Sequence, residues 1–169
     1  MKVYIDTYAT DVGTFTIAAS DELLYWLGLP GNNELSAKAW ISRHIPDAEN
    51  VLGPNRITEK TKEWIQMYLK GKAMLPIVPY TLIGTTFQQK VWKKIGEIPY
   101  GKNLSYKQIA EEIGSPKAVR AVGTACGSNP IPLLIACHRV LASNGKLGGY
   151  GGGLPLKKLL LQLEATPAQ

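Results

Sequence analysis

The sequence predicts an α+β protein: a small N-terminal antiparallel sheet with flanking helices, followed by a mostly helical second half that contains a helix-turn-helix. Three observations lead there. Apolar and polar residues alternate near the start, apolar residues recur at three- and four-residue spacing in later segments, and glycines and prolines punctuate the intervals.

Val3, Ile5, Phe15 and Ile17 alternate with polar neighbours around the turn-forming Asp11-Val12-Gly13, and the run Leu23 to Leu29 supplies a further strand, so a short antiparallel meander is expected. Helical spacing takes over from Glu34 to His44 and again from Thr58 to Leu69. In the second set Trp64, Met67 or Tyr68, and Leu69 fall at helical spacing, and Gly71 is a stop signal. Two helices should cover part of the sheet. The stretch Met74 to Gly84 holds Pro76 and Pro79 among apolar residues, which disfavours a regular helix and predicts a packed connection. The boundary is expected here, giving a structural N-terminal domain over 1–80 and a second domain over 86–169.

The second domain opens with Thr86-Phe-Gln-Gln89, a capping-box pattern ahead of a helix to about Gly96 with Val91, Trp92 and Ile95 on one face. Pro99-Tyr100-Gly101 makes a turn. Ser105 is placed to cap a helix from Tyr106 to Ile113, with Ile109, Ala110 and Ile113 buried and Gly114 ending it. Ser115-Pro116 should cap and begin the next helix, with Val119, Val122 and Ala125 or Cys126 inward and Lys117, Arg120 and Thr124 outward. A helix, a glycine turn and a helix with a basic outer stripe match the arrangement of a helix-turn-helix DNA reader.

Charge points the same way. Residues 1–85 carry eight Lys/Arg against nine Asp/Glu, whereas 86–169 carry eleven against four, so the cation excess is confined to the half with the helix pair. Such a surface suits a polyanion, because each neutralised phosphate releases counterions; a solubilising face is the alternative. Cys126 and Cys137 lack the paired spacing of a zinc site and are too few for a disulfide framework, which predicts a reduced, intracellular protein. No signal-peptide run opens the chain and no stretch of about 18 apolar residues occurs, so secreted and membrane classes are not expected.

The chemistry concentrates where Pro130-Ile-Pro-Leu-Leu-Ile-Ala136 leads into Cys137-His138-Arg139-Val140. A thiol at the end of an apolar run, beside an imidazole and a guanidinium, has what a nucleophile needs, since the thiolate is the reactive form. Adjacent residues on an extended strand face opposite ways, so Cys137 and His138 need a turn or a bridging water to cooperate. Pro155 starts a last helix whose apolar stripe is Leu156, Leu159, Leu160 and Leu163, with Glu164 one turn after Leu160. An inward carboxylate needs a partner, and His138 is the natural one, which yields a Glu-His-Cys relay. The glycine-dense Gly148-Gly-Tyr-Gly-Gly-Gly153 permits close backbone approach to a ligand.

From Thr86 to Glu164 these residues together resemble the O6-alkylguanine-DNA alkyltransferases. The matching motifs are Ser105-Tyr106-Lys-Gln108, Ala118-Val-Arg120-Ala-Val-Gly123, Asn129-Pro130, Cys137-His138-Arg139-Val140, Gly149-Tyr150-Gly-Gly152 and Leu-Glu164. The first 80 residues match in outline only, as a ribonuclease-H-like α/β unit. The resemblance implies direct-reversal repair of double-stranded DNA, in which an alkyl group leaves O6 of guanine, or O4 of thymine, for Cys137. The second helix of the pair would enter the minor groove, with Arg120 filling the space of the extruded base and Ser105, Lys117, Thr124 and Asn129 lying on the DNA-binding side. Flipping is required because a stacked guanine cannot meet a buried thiolate. Tyr106 would protonate the leaving guanine, and Asn129 would brace the active-site segment. Pro132, Ala136, Val140, Tyr150, Gly151 and Gly152 would shape the substrate pocket. Glu164, His138 and a water would take the proton of Cys137, and the stable thioether would end activity after one event. No cofactor and no metal are expected, because the first half lacks the cysteine and histidine set that binds zinc in some relatives. The protein is expected to act as a monomer, in the cytoplasm or, in a eukaryote, the nucleus.

Two positions depart from the family pattern. Ala136 stands where proline is usual before the cysteine, and Gly151 replaces a common serine, a side chain whose hydrogen bond the backbone amide can replace. The rival readings are a non-catalytic lesion-binding protein, an alkylation-sensing helix-turn-helix regulator and a cysteine hydrolase. The first replaces the cysteine, the second needs an operator, and the third would turn over repeatedly.

Overall fold

The computed structural model describes residues 1–72 and 75–165, so Met74 of the expected connection and the last four positions of the expected second domain lie outside the described residues. The chain divides into two compact units, one spanning Met1–Ile83 and the other beginning at Gly84.

In the first unit β1 (Lys2–Thr10), β2 (Gly13–Ala19) and β3 (Leu24–Gly28) form the expected meander, with Thr10 opposite Gly13 across the Asp11-Val12 turn. Phe15 to Ala19 are buried without interruption. Both faces of that strand are therefore covered, and two helices provide the cover. Helix α1 (Glu34–His44) contributes Ala37 and Ile41 to one cluster with Val3, Ile5, Ala18, Tyr25 and Trp26. Helix α2 (Arg56–Leu69) packs on β1 and β2 with Ile57, Trp64, Ile65 and Tyr68 buried, and its Lys62 Nζ lies 2.6 Å from Asp6 Oδ2. It begins two residues before Thr58, because Asn55 caps it: Asn55 Oδ1 accepts from Thr58 N at 2.9 Å.

One strand is additional to the expected meander. Glu49–Leu52 forms β4, parallel to β1, so the sheet is mixed and runs β3-β2-β1-β4.

The second unit begins with α3 (Thr86–Gly96), whose Val91, Trp92 and Ile95 are buried as the spacing predicts. Its capping box is one residue earlier than expected, with Thr85 Oγ1 accepting from Gln88 N at 3.1 Å. The strand β5 (Leu104–Ser105) leads into α4 (Tyr106–Glu112), capped by Ser105 as expected. Helix α5 (Val119–Gly127) starts later than expected. Ala118 N donates to Ser115 O at 2.9 Å, so Ser115–Ala118 closes a turn in which Pro116 occupies the position whose φ it pre-sets. Trp92 Nε1 donates to Ala125 O at 2.7 Å and fastens α3 to α5.

Beyond α5, Cys137–Arg139 forms a single 3₁₀ turn, and β6 (Val140–Leu141) pairs in parallel with β5. Helix α6 (Leu154–Ala165) follows. Its buried face is Leu156, Lys157, Leu160 and Glu164, while Leu159, expected inward, is 41% exposed. Among the described residues no helix is long and apolar enough to cross a membrane.

Candidate active site

The turn that adjacent Cys and His residues require is the 3₁₀ turn. Its i to i+3 bond, Val140 N to Cys137 O, curls the backbone so that both side chains are buried. The preceding loop is held by Asn129, whose Nδ2 donates to Ile135 O at 2.7 Å and whose Oδ1 accepts from Ile131 N at 3.0 Å. Those bonds hold buried Leu133 at φ 71, a left-handed conformation that costs a side-chain-bearing residue about 1 kcal/mol or more.

Cys137 lies on the wall of a cavity of about 330 Å³, at the small end of the range for small-molecule sites. The other walls are Tyr106 of α4, Gly123, Cys126 and Gly127 of α5, and Gly149, Tyr150 and Gly151 of the loop before α6. Gly148, with φ 71, sits under Tyr106: a Cβ there would come within 3.0 Å of the ring, whereas one at Gly149 or Gly151 would meet nothing within 4 Å.

Glu164 organises the charges on the other side of the turn. Its Oε2 accepts from His138 Nε2 at 2.5 Å and from Arg139 Nη2 at 3.2 Å, and its Oε1 from Arg139 Nε at 2.7 Å and Gly101 N at 3.0 Å. Arg139 Nη1 also donates to Ile98 O at 2.7 Å, and its guanidinium carbon lies 5.7 Å from the centroid of the Tyr100 ring. The carboxylate and guanidinium neutralise each other, so burial decides the state of the imidazole. Burial holds His138 below the ordinary 6.5, against the upward pull of Glu164. It leaves a neutral base, with Nε2 committed to Glu164 and Nδ1 as the other ring nitrogen.

Burial also raises the Cys137 thiol above its ordinary value, opposed by a hydrogen bond from Asn129 and the charge of Lys157. The resting sulfur is therefore a protonated thiol next to a neutral base. Cys126 is pushed up to about 12, chiefly by burial, and Tyr106 and Tyr150 are raised for the same reason.

Of the residues singled out in the sequence, Cys137, Tyr106, Tyr150 and Gly151 meet at the cavity, and His138 and Glu164 pair with each other. Pro132, Ala136 and Val140 are buried in the segments flanking the cysteine, and Gly152 is half-buried in the loop. Lys117, Arg120 and Thr124 are exposed; Thr124 Oγ1 donates to Arg120 O at 3.2 Å, and Lys117 lies in the turn ahead of α5. Sequence reasoning missed Arg139 as a partner of Glu164 and Cys126 as a cavity residue. It also missed Lys157, which is fully buried. Helical spacing held the signal for Lys157, since positions 157, 160 and 164 share a face. Among the described residues no group of three or more His, Cys, Asp or Glu is placed to hold a metal.

Residues 86–166 match the family described as 6-O-methylguanine DNA methyltransferase, DNA binding domain. The inducible methylated-DNA–protein-cysteine methyltransferase of Bacillus subtilis is 40% identical over 150 residues, covering 89% of this chain and 83% of the relative. The methylated-DNA–protein-cysteine methyltransferase of Methanosarcina barkeri is 38% identical over 164 residues, covering 96% and 97%. Among solved structures, that of Mycobacterium tuberculosis OGT in complex with DNA superposes with a TM-score of 0.83 at 36% identity, covering 98% of this chain and 95% of that one. The M. tuberculosis O6-methylguanine methyltransferase gives 0.82 at 38% identity, covering 99% and 95%.

Proposed function

Because the chain belongs to the methylated-DNA–protein-cysteine methyltransferase family, we propose that Cys137 is the acceptor through which it reverses alkylation damage in DNA. The protein is a direct-reversal DNA repair methyltransferase that binds double-stranded DNA. The observation that carries the assignment of its site is the buried Cys137 thiol on a cavity between α4, α5 and the glycine loop, with the following residue of the chain, His138, paired to Glu164.

The cavity, the His138–Glu164 pair and the exposed face of α5 support the following scheme. α5 presents Arg120 and Thr124, with Lys117 just ahead of it, to the minor groove, and Arg120 takes the place of the flipped base. Ser105 holds the start of α4 and so sets the position of Tyr106 over the cavity, and Asn129 braces the segment that carries the sulfur. The flipped guanine enters beside Tyr106, with its alkyl group toward Cys137. A water between Cys137 and His138 passes the thiol proton to the imidazole, and Glu164 stabilises the resulting cation. The sulfur then forms a bond to the alkyl carbon as the carbon–O6 bond breaks, and Tyr106 supplies a proton to the departing guanine. Val140 and the backbone around Cys137 bind guanine edges, while Pro132, Ala136, Tyr150, Gly151 and Gly152 set the room for the alkyl group. A dialkyl thioether has no easy leaving group, so each molecule acts once. The unit 1–83 serves as structural support, and the protein works as a monomer in the cytoplasm, or in the nucleus of a eukaryotic cell.

The test is to mix the protein with duplex oligonucleotide containing O6-methylguanine and weigh its peptides. The Cys137 peptide should gain about 14 Da, one methyl group, at a stoichiometry near one, with guanine restored and no gain in Cys137→Ala. Repeated turnover, or a gain on another peptide, refutes the assignment.

A further inference from the structure

Among the described residues the transfer scheme leaves one buried charge unused. Lys157 is fully buried on α6, and its Nζ donates to backbone carbonyls: Val140 O at 2.7 Å, Gly149 O at 3.1 Å, and Leu147 O. Three acceptors call for three N–H donors, which the ammonium has and the neutral amine does not. The carbonyls thus hold the proton that burial tends to remove. Burying a cation among carbonyls alone is costly, and its location indicates the return. Val140 follows the Cys137–Arg139 turn, whereas Leu147 and Gly149 lead into the loop that walls the cavity. The ammonium lies 5.9 Å from the centroid of the Tyr106 ring and acts electrostatically on both Cys137 and Cys126.

We propose that Lys157 is a positioning residue of the transfer reaction: it staples the strand after Cys137 to the cavity loop and places a cation where the Cys137 thiolate forms. This rests on Cys137 being the acceptor. Around that sulfur stand Tyr106 from α4, Cys126 from α5, Asn129 from the preceding loop, His138 from the turn and Tyr150 from the glycine loop; Asn129 and Lys157 favour its ionised form. When the thiol loses its proton, the anion meets a cation already in place, so little reorganisation accompanies the step.

The test is Lys157→Met, which keeps most of the apolar stem and removes the charge. Two quantities are read: the rate of methyl transfer from the O6-methylguanine duplex, and the pH dependence of iodoacetamide alkylation at Cys137, followed by peptide mass. The alkylation midpoint should rise by about one pH unit, the low end for losing a nearby opposite charge. Transfer at neutral pH should slow by about tenfold, the matching loss of thiolate. Slower transfer with an unmoved midpoint overturns the charge role, and no change in either overturns the proposal. Should the variant not fold, wild-type protein carrying ¹³C at the lysine ε-carbon decides. Its Lys157 resonance should follow the Cys137 titration and stop doing so once Cys137 is methylated; a resonance indifferent to Cys137 refutes the coupling. Iodoacetamide needs no DNA, so wild-type protein that fails to accept a methyl group overturns the acceptor assignment, separately from the Lys157–Cys137 coupling.

Discussion

The two units bury different kinds of polar side chain. Among the described residues, those of the first unit are the neutral hydroxyls of Thr16, Ser20, Thr58 and Thr61, whereas those of the second are His138, Lys157 and Glu164, all ionisable. Thr61 Oγ1 donates to Ile57 O at 2.8 Å within its own helix, so its burial costs little and requires nothing from the rest of the chain. Each ionisable group of the second unit instead draws on segments distant in sequence. A fold keeps charges inside where a reaction uses them, and the contrast locates chemistry without reference to any motif.

The contrast can be broken most severely at Glu164. Glu164→Ala leaves Arg139 and His138 without their carboxylate, and urea denaturation should show a loss of about 3–5 kcal/mol, the cost of breaking a buried ion pair by removing one partner. A loss below 1 kcal/mol would mean that water replaces the carboxylate and that the cluster is structurally incidental. A milder perturbation is pH. His138 is held below 6.5 in the fold, so the unfolded chain takes up the proton first as pH falls. The stability present above pH 6.5 should therefore decline below it. Unfolding midpoints followed from neutral pH down to about pH 5 should show the decline in wild type and a weaker one in His138→Gln. The smallest effect belongs to the first unit, where Thr61→Val replaces a hydroxyl by a methyl group of similar size and should change stability by no more than about 1 kcal/mol. A larger loss in the same denaturation assay would erase the distinction between the two interiors.

Legibility followed the same division. Strands β1 and β2 and the helices were readable by local period, and β3 by its unbroken apolar run. Strand β4 was not, since Glu49-Asn-Val-Leu52 lies on the sheet edge and is largely exposed, which removes the alternation that betrays a strand. The start of α5 was misplaced because Ser-Pro serves equally to open a helix or to sit in a turn. At the site, Cys137 and His138 were readable from adjacency and Glu164 from its spacing on an apolar helix. Lys157 was missed although positions 157, 160 and 164 share a helix face, because its partners are main-chain carbonyls, which any residue supplies, and Arg139 because its neighbour His138 already accounted for the Glu164 carboxylate.

The glycines of the cavity loop are not equivalent in what they permit to descendants of this sequence. Gly148 is locked by the ring above it and by its own backbone, so any side chain there displaces Tyr106. Gly149 and Gly151 are unhindered and line the chamber, so substitutions at those two sites would narrow it by degrees without disturbing the rest. Restriction to smaller lesions thus has two adjustable positions beside one that is fixed.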